Sequence, residues 1–183
     1  MSRDGALAPA ARLLATGARP GRGLLDLHSE VVLPVPLDDA FAFFADAWNL
    51  ERITPPWLNF RILTRRPIDL REGTLLEYRI RLRGVPIPWR TRIDVWEPGV
   101  RFVDRQVIGP YHWWRHEHRF QAAAGGTRVI DHVEYLPRMA WLSRRWVRHD
   151  VERIFAYRRE ALLRQLAARP ASGQAESGSS TST

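Results

Sequence analysis

The stretch Thr74-Leu-Leu-Glu-Tyr-Arg-Ile-Arg-Leu-Arg83 alternates without a break: Leu76, Tyr78, Ile80 and Leu82 stand against Glu77, Arg79, Arg81 and Arg83. A period of two sends successive side chains to opposite faces of a strand, so one face is apolar and the other charged. Such a strand belongs to an antiparallel sheet with one face covered and one face wet. The pattern recurs downstream. Pro88–Trp96 sets Trp89, Thr91, Ile93 and Val95 against Arg90, Arg92 and Asp94. Arg101–Ile108, Trp113–Gln121 and Thr127–Tyr135 continue the series, with Pro98-Gly99 and Gly125-Gly126 as turn signals. Upstream, Phe60–Arg65 and His28–Leu33 read as further strands, which makes seven.

Two breaks in this rhythm complete the architecture. After the first strand, Asp38 or Asp39 is the expected cap of a short helix that carries Phe41, Phe44 and Ala45 on one face. Trp48–Ile53 reads as a second short helix, stopped by Pro55-Pro56. Beyond Pro137 the period changes from two to three and four. Trp146, Val147, Val151, Ile154, Phe155, Leu162, Leu163 and Leu166 mark an amphipathic helix over Ser143–Ala168. At ~1.5 Å per residue it is about 39 Å long, enough to cross a domain. The expected fold is therefore α+β: a seven-stranded curved antiparallel sheet, two short helices after strand 1 and a long C-terminal helix.

One helix cannot fill the concavity of such a sheet, so the remaining volume is either an aromatic core or a cavity. The inward faces carry polar groups that a sealed core would penalise, which favours a cavity. Residues 28–168 form the predicted domain. Residues 1–27 read as a disordered extension, or as the product of a misplaced start codon, and 169–183 as a disordered Ser/Gly/Thr tail.

This order of elements resembles the START/Bet v 1-like (SRPBCC) superfamily, and more narrowly the bacterial polyketide cyclase/dehydrase and coenzyme Q-binding START-like proteins. The segments that carry the resemblance are Glu51-Arg-Ile-Thr-Pro-Pro-Trp-Leu58, Arg83-Gly-Val-Pro-Ile-Pro-Trp89, Phe102-Val-Asp-Arg-Gln106 and Gly109-Pro-Tyr-His-Trp-Trp-Arg-His-Glu-His-Arg-Phe120. Gly126-Thr127 and Asp131-His-Val-Glu-Tyr135 extend it. The resemblance implies a helix-grip fold around a cavity for a hydrophobic small molecule such as a lipid, quinone or polyketide. It implies no defined substrate and no agreed catalytic residues.

Alternation also sorts the candidate site. Trp114, His116, His118 and Phe120 share one face, expected to point inward; Trp113, Arg115, Glu117 and Arg119 share the other, expected to meet solvent. Phe102, Asp104 and Gln106, and then Val129, Asp131, Val133 and Tyr135, fall inward on the flanking strands. Tyr78 and Trp89 are candidates for apolar lining, and Trp57 for the mouth of the pocket. The expected ligand-binding wall is thus Trp57, Tyr78, Trp89, Phe102, Asp104, Gln106, Trp114, His116, His118, Phe120, Asp131 and Tyr135. A histidine beside a buried aspartate is a usual positioned acid/base, which makes His116, His118 and Asp131 the candidate catalytic set for cyclisation or dehydration. The plainer reading is mutual satisfaction of buried polar groups across the sheet. His116-Glu-His118 also resembles half of a metal site, with Asp104 or Asp131 as a third ligand. With no third histidine in the pattern, the reading stays at no metal and no cofactor.

The chain has 183 residues, 28 basic and 20 acidic side chains and a formal charge of +8, with no lysine and no cysteine. The missing cysteine excludes disulfides and thiolate chemistry. The arginines are scattered, which suits a solvated surface. A ribosome, nucleic acid or membrane partner remains a competing reading, with Trp141, Leu142 and Trp146 beside the helix arginines as the membrane candidate. No apolar stretch reaches the ~20 residues of a membrane span, and the reading is a cytoplasmic protein. Gly-rich phosphate loops, a nucleophile elbow and zinc-finger spacing are missing from the sequence.

Overall fold

The fold is described from a computed structural model, which covers residues 21, 23–82, 84–138 and 140–167, with side chains from residue 144 onward in the last segment. Most of the expected disordered ends and the side chains of Trp141 and Leu142 lie outside the described residues; Ser143 is not a cap, because the helix already begins at Ala140.

The chain forms β1 (Leu25–Leu33), α1 (Leu37–Ala45), α2 (Asn49–Ile53), a 3-10 turn (Pro56–Leu58), β2 (Arg61–Ile62), β3 (Leu75–Leu82), β4 (Val85–Glu97), β5 (Arg101–Ile108), β6 (Tyr111–Ala123), β7 (Gly126–Pro137) and α3 (Ala140–Ala167). All seven strands join one antiparallel sheet in the order β1-β7-β6-β5-β4-β3-β2. The expected architecture is therefore present. Several boundaries differ from expectation, and four of the differences have a clear physical reason.

β1 starts at Leu25, ahead of the expected His28, because Leu25 and Leu27 bury their side chains with Val133 and Tyr135 of β7 and with Phe155 of α3. β2 shrinks to two residues because the regular ladder with β3 ends at Ile62; beyond it, Leu63 and Thr64 both donate their N–H to the one carbonyl of Glu77. α1 is entered from Pro36, not from an aspartate: Pro36 is the N-cap, and Asp38 and Asp39 occupy the first turn. Both carboxylates favour the positive end of the helix dipole there. β4 begins at Val85, so Pro86 and Pro88 lie within a strand. β5 pairs with β4 only from Arg90 onward, which leaves one edge of Val85–Trp89 open. Residues two apart point their backbone nitrogens the same way, so both missing N–H groups can share that open edge.

The hairpin between β6 and β7 depends on glycine. Gly126 has φ +144°, and a Cβ there would lie 2.0 Å from the carbonyl oxygen of Leu33. No other residue fits where β1 passes this turn.

The apolar interior has two parts. One, around α1, contains Phe43, Phe44, Ile93, Phe102 and Phe120. The other, under the middle of α3, contains Ile80, Trp89, Tyr111, Val133 and Phe155. The long helix lies across the concave face, as expected, but its buried stripe is Val151, Phe155, Ala161, Leu162 and Leu166. Trp146, expected on that stripe, is 67% exposed.

Candidate functional site

A cavity of about 160 Å³ lies between the two apolar clusters. Phe43 and Phe44 of α1 and Ile154 and Phe155 of α3 line it from the helices; Ile80, Trp89, Ile93 and Phe102 line it from the sheet. A polar end is built by Tyr78, Thr91, Asp104, His116, His118 and Arg158.

The register creates that end. Asp104 on β5 stands opposite His116 on β6, and His118 stands opposite Asp131 on β7. All four side chains point inward, as alternation requires. The two imidazoles lie 3.7 Å apart between centroids, with a carboxylate at either side. His116 Nε2–H donates to Asp131 Oδ1 at 2.9 Å. A carboxylate only accepts, so the proton of a neutral His116 is on Nε2 and its Nδ1 is a lone pair. His118 Nδ1 is 2.7 Å from the same oxygen, off the hydrogen-bond direction. On the cavity side, His116 Nδ1 is 3.6 Å and His118 Nε2 3.4 Å from Asp104 Oδ2. Thr91 Oγ1 donates to the other oxygen of Asp104 at 3.2 Å. Phe102 stacks on His118 at 4.2 Å, and Phe155 meets His116 edge-on at 5.3 Å.

Burial and charge divide the protons unequally. Burial pushes His116 down, the neighbouring His118 adds to the effect, and the carboxylates only partly oppose it, leaving a pKa of about 4. Burial also disfavours charge on His118, but its carboxylate contacts outweigh this and raise it. Burial alone would raise Asp131; the hydrogen bond from His116 and the close approach of His118 hold it well below the usual carboxylate range. Asp104 is lowered by the same balance. Near neutral pH the cluster thus holds two carboxylates and a neutral His116.

The structure places the expected wall unevenly. Tyr78, Trp89, Phe102, Asp104, Trp114, His116 and His118 line the cavity. Asp131 touches both histidines from behind and does not reach the cavity surface. Phe120 packs against Phe41 and Phe44 in the core. Tyr135 is fully buried against Tyr111 and Trp114. Gln106 is buried and braces the β5–β6 hairpin: its Nε2 donates to the Tyr111 carbonyl at 2.8 Å, and its Oε1 accepts from the Tyr111 N–H at 3.3 Å. A Cβ on Gly109 would meet that Oε1 at 2.2 Å, so the brace and the glycine go together. Trp57 is 44% exposed and belongs to a second, open concavity with Trp146, Arg81 and Arg153. The Arg153 guanidinium lies 4.3 Å over its ring.

On the convex face, Trp113 and Glu117 were expected to meet solvent, yet both are buried. Glu117 lies under Arg101, Arg115 and Arg119, at 3.4, 2.8 and 2.6 Å. Arginine stems cover the sheet there while their charged ends reach water.

Arg158 is a cavity residue that the sequence reading left among the solvated helix arginines. It lines the cavity, its Nε is buried with no hydrogen-bond partner, and its cation lies 5.3 Å from the Phe155 ring centroid. The signal was present: position 158 falls four after Ile154 and four before Leu162, in the gap of the apolar stripe. Trp89 Nε1 is a second buried donor without a partner on the cavity wall.

A curved antiparallel sheet gripping a long helix around an interior cavity defines a helix-grip fold of the SRPBCC type. The chain belongs to the polyketide cyclase/dehydrase and lipid transport family, whose model matches residues 33–162. No curated protein matches it in sequence. Among solved structures it is similar to the Zhui aromatase/cyclase from Streptomyces sp. R1128, at 18% identity and a TM-score of 0.66, over 83% of this chain and 100% of that one. It is also similar to Ms6760 from Mycobacterium smegmatis (19%, 0.62, 79% and 92%) and to Ara h 8.0201 (17%, 0.56, 78% and 99%). At these identities the likeness concerns the fold. No described helix is long and apolar enough to cross a membrane.

Proposed function

We propose that this protein binds a small, mostly apolar compound carrying at least one oxygen, with its rings or chain among Phe44, Ile93, Phe102 and Phe155 and its oxygen at the polar end. One observation carries the reading: two buried donors on the cavity wall, Arg158 Nε and Trp89 Nε1, have no acceptor among the described residues. An unpaired buried donor costs roughly 1–3 kcal/mol, which a ligand oxygen recovers. The family's cyclase/dehydrase and lipid transport description supports the same class of ligand. The volume favours a compound of one or two rings, since larger drug-sized ligands occupy roughly 300–1,000 Å³.

The test is native mass spectrometry of the purified protein, followed by titration with 1-naphthol and naphthalene, read by tryptophan fluorescence. The naphthol should bind more tightly, and Arg158→Leu with Trp89→Phe should erase the difference. If neither probe binds and no compound co-purifies, the reading fails.

A second reading is acid/base catalysis by the histidine pair, favoured by Asp131, which fixes the His116 proton from behind. It is tested by turnover of an enolisable aromatic ketone, read as solvent deuterium exchange beside the carbonyl. His116→Gln should abolish the exchange, while 1-naphthol binding persists. Exchange that matches buffer alone removes the reading.

A further inference from the structure

We propose that Asp104, His116 and His118 bind a divalent first-row transition ion at the wall of the cavity, with Asp131 as the residue that positions both imidazoles.

The donor atoms are placed for it. One carboxylate oxygen and one nitrogen from each ring lie within 4.8 Å of one another. The separations of 3.6 Å from His116 Nδ1 and 3.4 Å from His118 Nε2 to Asp104 Oδ2 are long for hydrogen bonds between such groups. They are close to the donor–donor edge of a tetrahedral site, roughly 3.3 Å when the metal–ligand bonds are about 2.0–2.1 Å.

The surroundings point the same way. A metal-bound histidine usually gives its other ring N–H to a carboxylate, which fixes the tautomer and aims the lone pair at the ion. Asp131 Oδ1 does this for His116 at 2.9 Å and lies 2.7 Å from His118 Nδ1, which a small ring rotation brings into line. Thr91 holds the second oxygen of Asp104, leaving Oδ2 for the ion. Asp104 and Asp131 bring two carboxylates into one buried cluster, which an ion of charge two neutralises more fully than the nearby Arg158 guanidinium alone. The three ligands face the cavity and Asp131 does not, so the remaining coordination position opens toward the space where a ligand oxygen or water would sit. Two imidazoles and one carboxylate with an open position suit zinc or iron(II) chemistry.

A second cluster sharpens the test. Asp26, His28 and His132 also bring three donor atoms within 4.8 Å, on the convex face. There Asp26 pairs with both histidines, the rings stack at 4.2 Å, and Asp26 and His28 are mostly in water. It lies away from the cavity, so it serves as the control. The inference shares the cavity with the proposed ligand but requires none, so metal and ligand titrations fail independently.

The experiment is a Zn2+ titration of the chelator-stripped full-length protein by calorimetry, alongside variants checked by circular dichroism. One ion per chain is expected. Asp104→Asn should weaken binding at least about a hundredfold and Asp131→Asn about 10–100-fold. His28→Gln with His132→Gln should leave the affinity unchanged. A measurement without variants accompanies these: Co2+ should shift the ring resonances of His116 and His118 and leave those of His28 and His132 in place. No stoichiometric uptake by the wild type overturns the inference. So does uptake that survives Asp104→Asn but is lost with His28→Gln and His132→Gln.

Discussion

The two faces of β6 are made from neighbouring residues, yet they handle charge in opposite ways. Inward, His116 and His118 sit between Asp104 and Asp131 in an apolar box, and one side of that box opens onto a cavity. Outward, Glu117 lies under Arg101, Arg115 and Arg119, all of which retain some contact with water. The inner groups have one another and the Thr91 hydroxyl for partners. The outer carboxylate has three cations that can swing into solvent at little cost. Burial is similar on the two sides, but the consequence of losing a partner is not. That makes the inner cluster sensitive to the loss of any member and the outer one tolerant of it.

Removing one carboxylate from each face is the way to break this contrast. Asp131→Ala should have the largest effect, about 3–5 kcal/mol in urea unfolding, because it strands two buried imidazoles. Glu117→Ala should cost less, about 1 kcal/mol, since its arginines relax outward. Equal losses would show that the outer network is as closed as the inner one.

Acid should sharpen the contrast further. Arg115 and Arg119 more than offset the burial of Glu117 and lower its pKa below 4.5. A carboxylate lowered on folding stabilises above its unfolded pKa and loses that contribution as pH falls through its folded one. The gap between wild type and Glu117→Gln should therefore be constant above the unfolded glutamate range and narrow as pH falls below it, as followed by urea unfolding at each pH. A gap that persists well below that range would assign the stability to packing of the side chain rather than to its charge.

The smallest effect is expected at Trp146→Ser. The ring is 67% exposed, so thermal unfolding should change by less than about 0.5 kcal/mol. A large loss would return this tryptophan to the buried stripe that helical periodicity assigned to it.

The fold was legible because both of its periods are strong. The alternation of Thr74–Arg83 and its successors marks an antiparallel sheet, and the change of period after Pro137 marks the helix that covers it. The inner cluster was legible for the same reason: direction across a sheet follows from counting by two, and hairpins bring Asp104, His116, His118 and Asp131 side by side. Counting fixes direction, however, and not depth. It could not show that Glu117 is roofed by arginines, or that Phe120 and Tyr135 end in packed core while Trp114 borders open space. Gln106 escaped because a bulge and a hairpin redirect its amide to Tyr111. Trp57 escaped because the short turn that carries it projects away from the cavity. Arg158 escaped because a charged residue on a charged helix looks solvated until the neighbouring cavity is known.

The two prolines on the open edge of β4 have a consequence for how these molecules meet one another. An unpaired strand edge is a template on which a neighbouring chain can lay down its own strand, and Val85 adds an exposed apolar side chain to this one. With Pro86 and Pro88 in place, two rungs of any such ladder lack a donor. The overhang can therefore stay extended beside the cavity, at high protein concentration, without recruiting a second copy into a growing sheet.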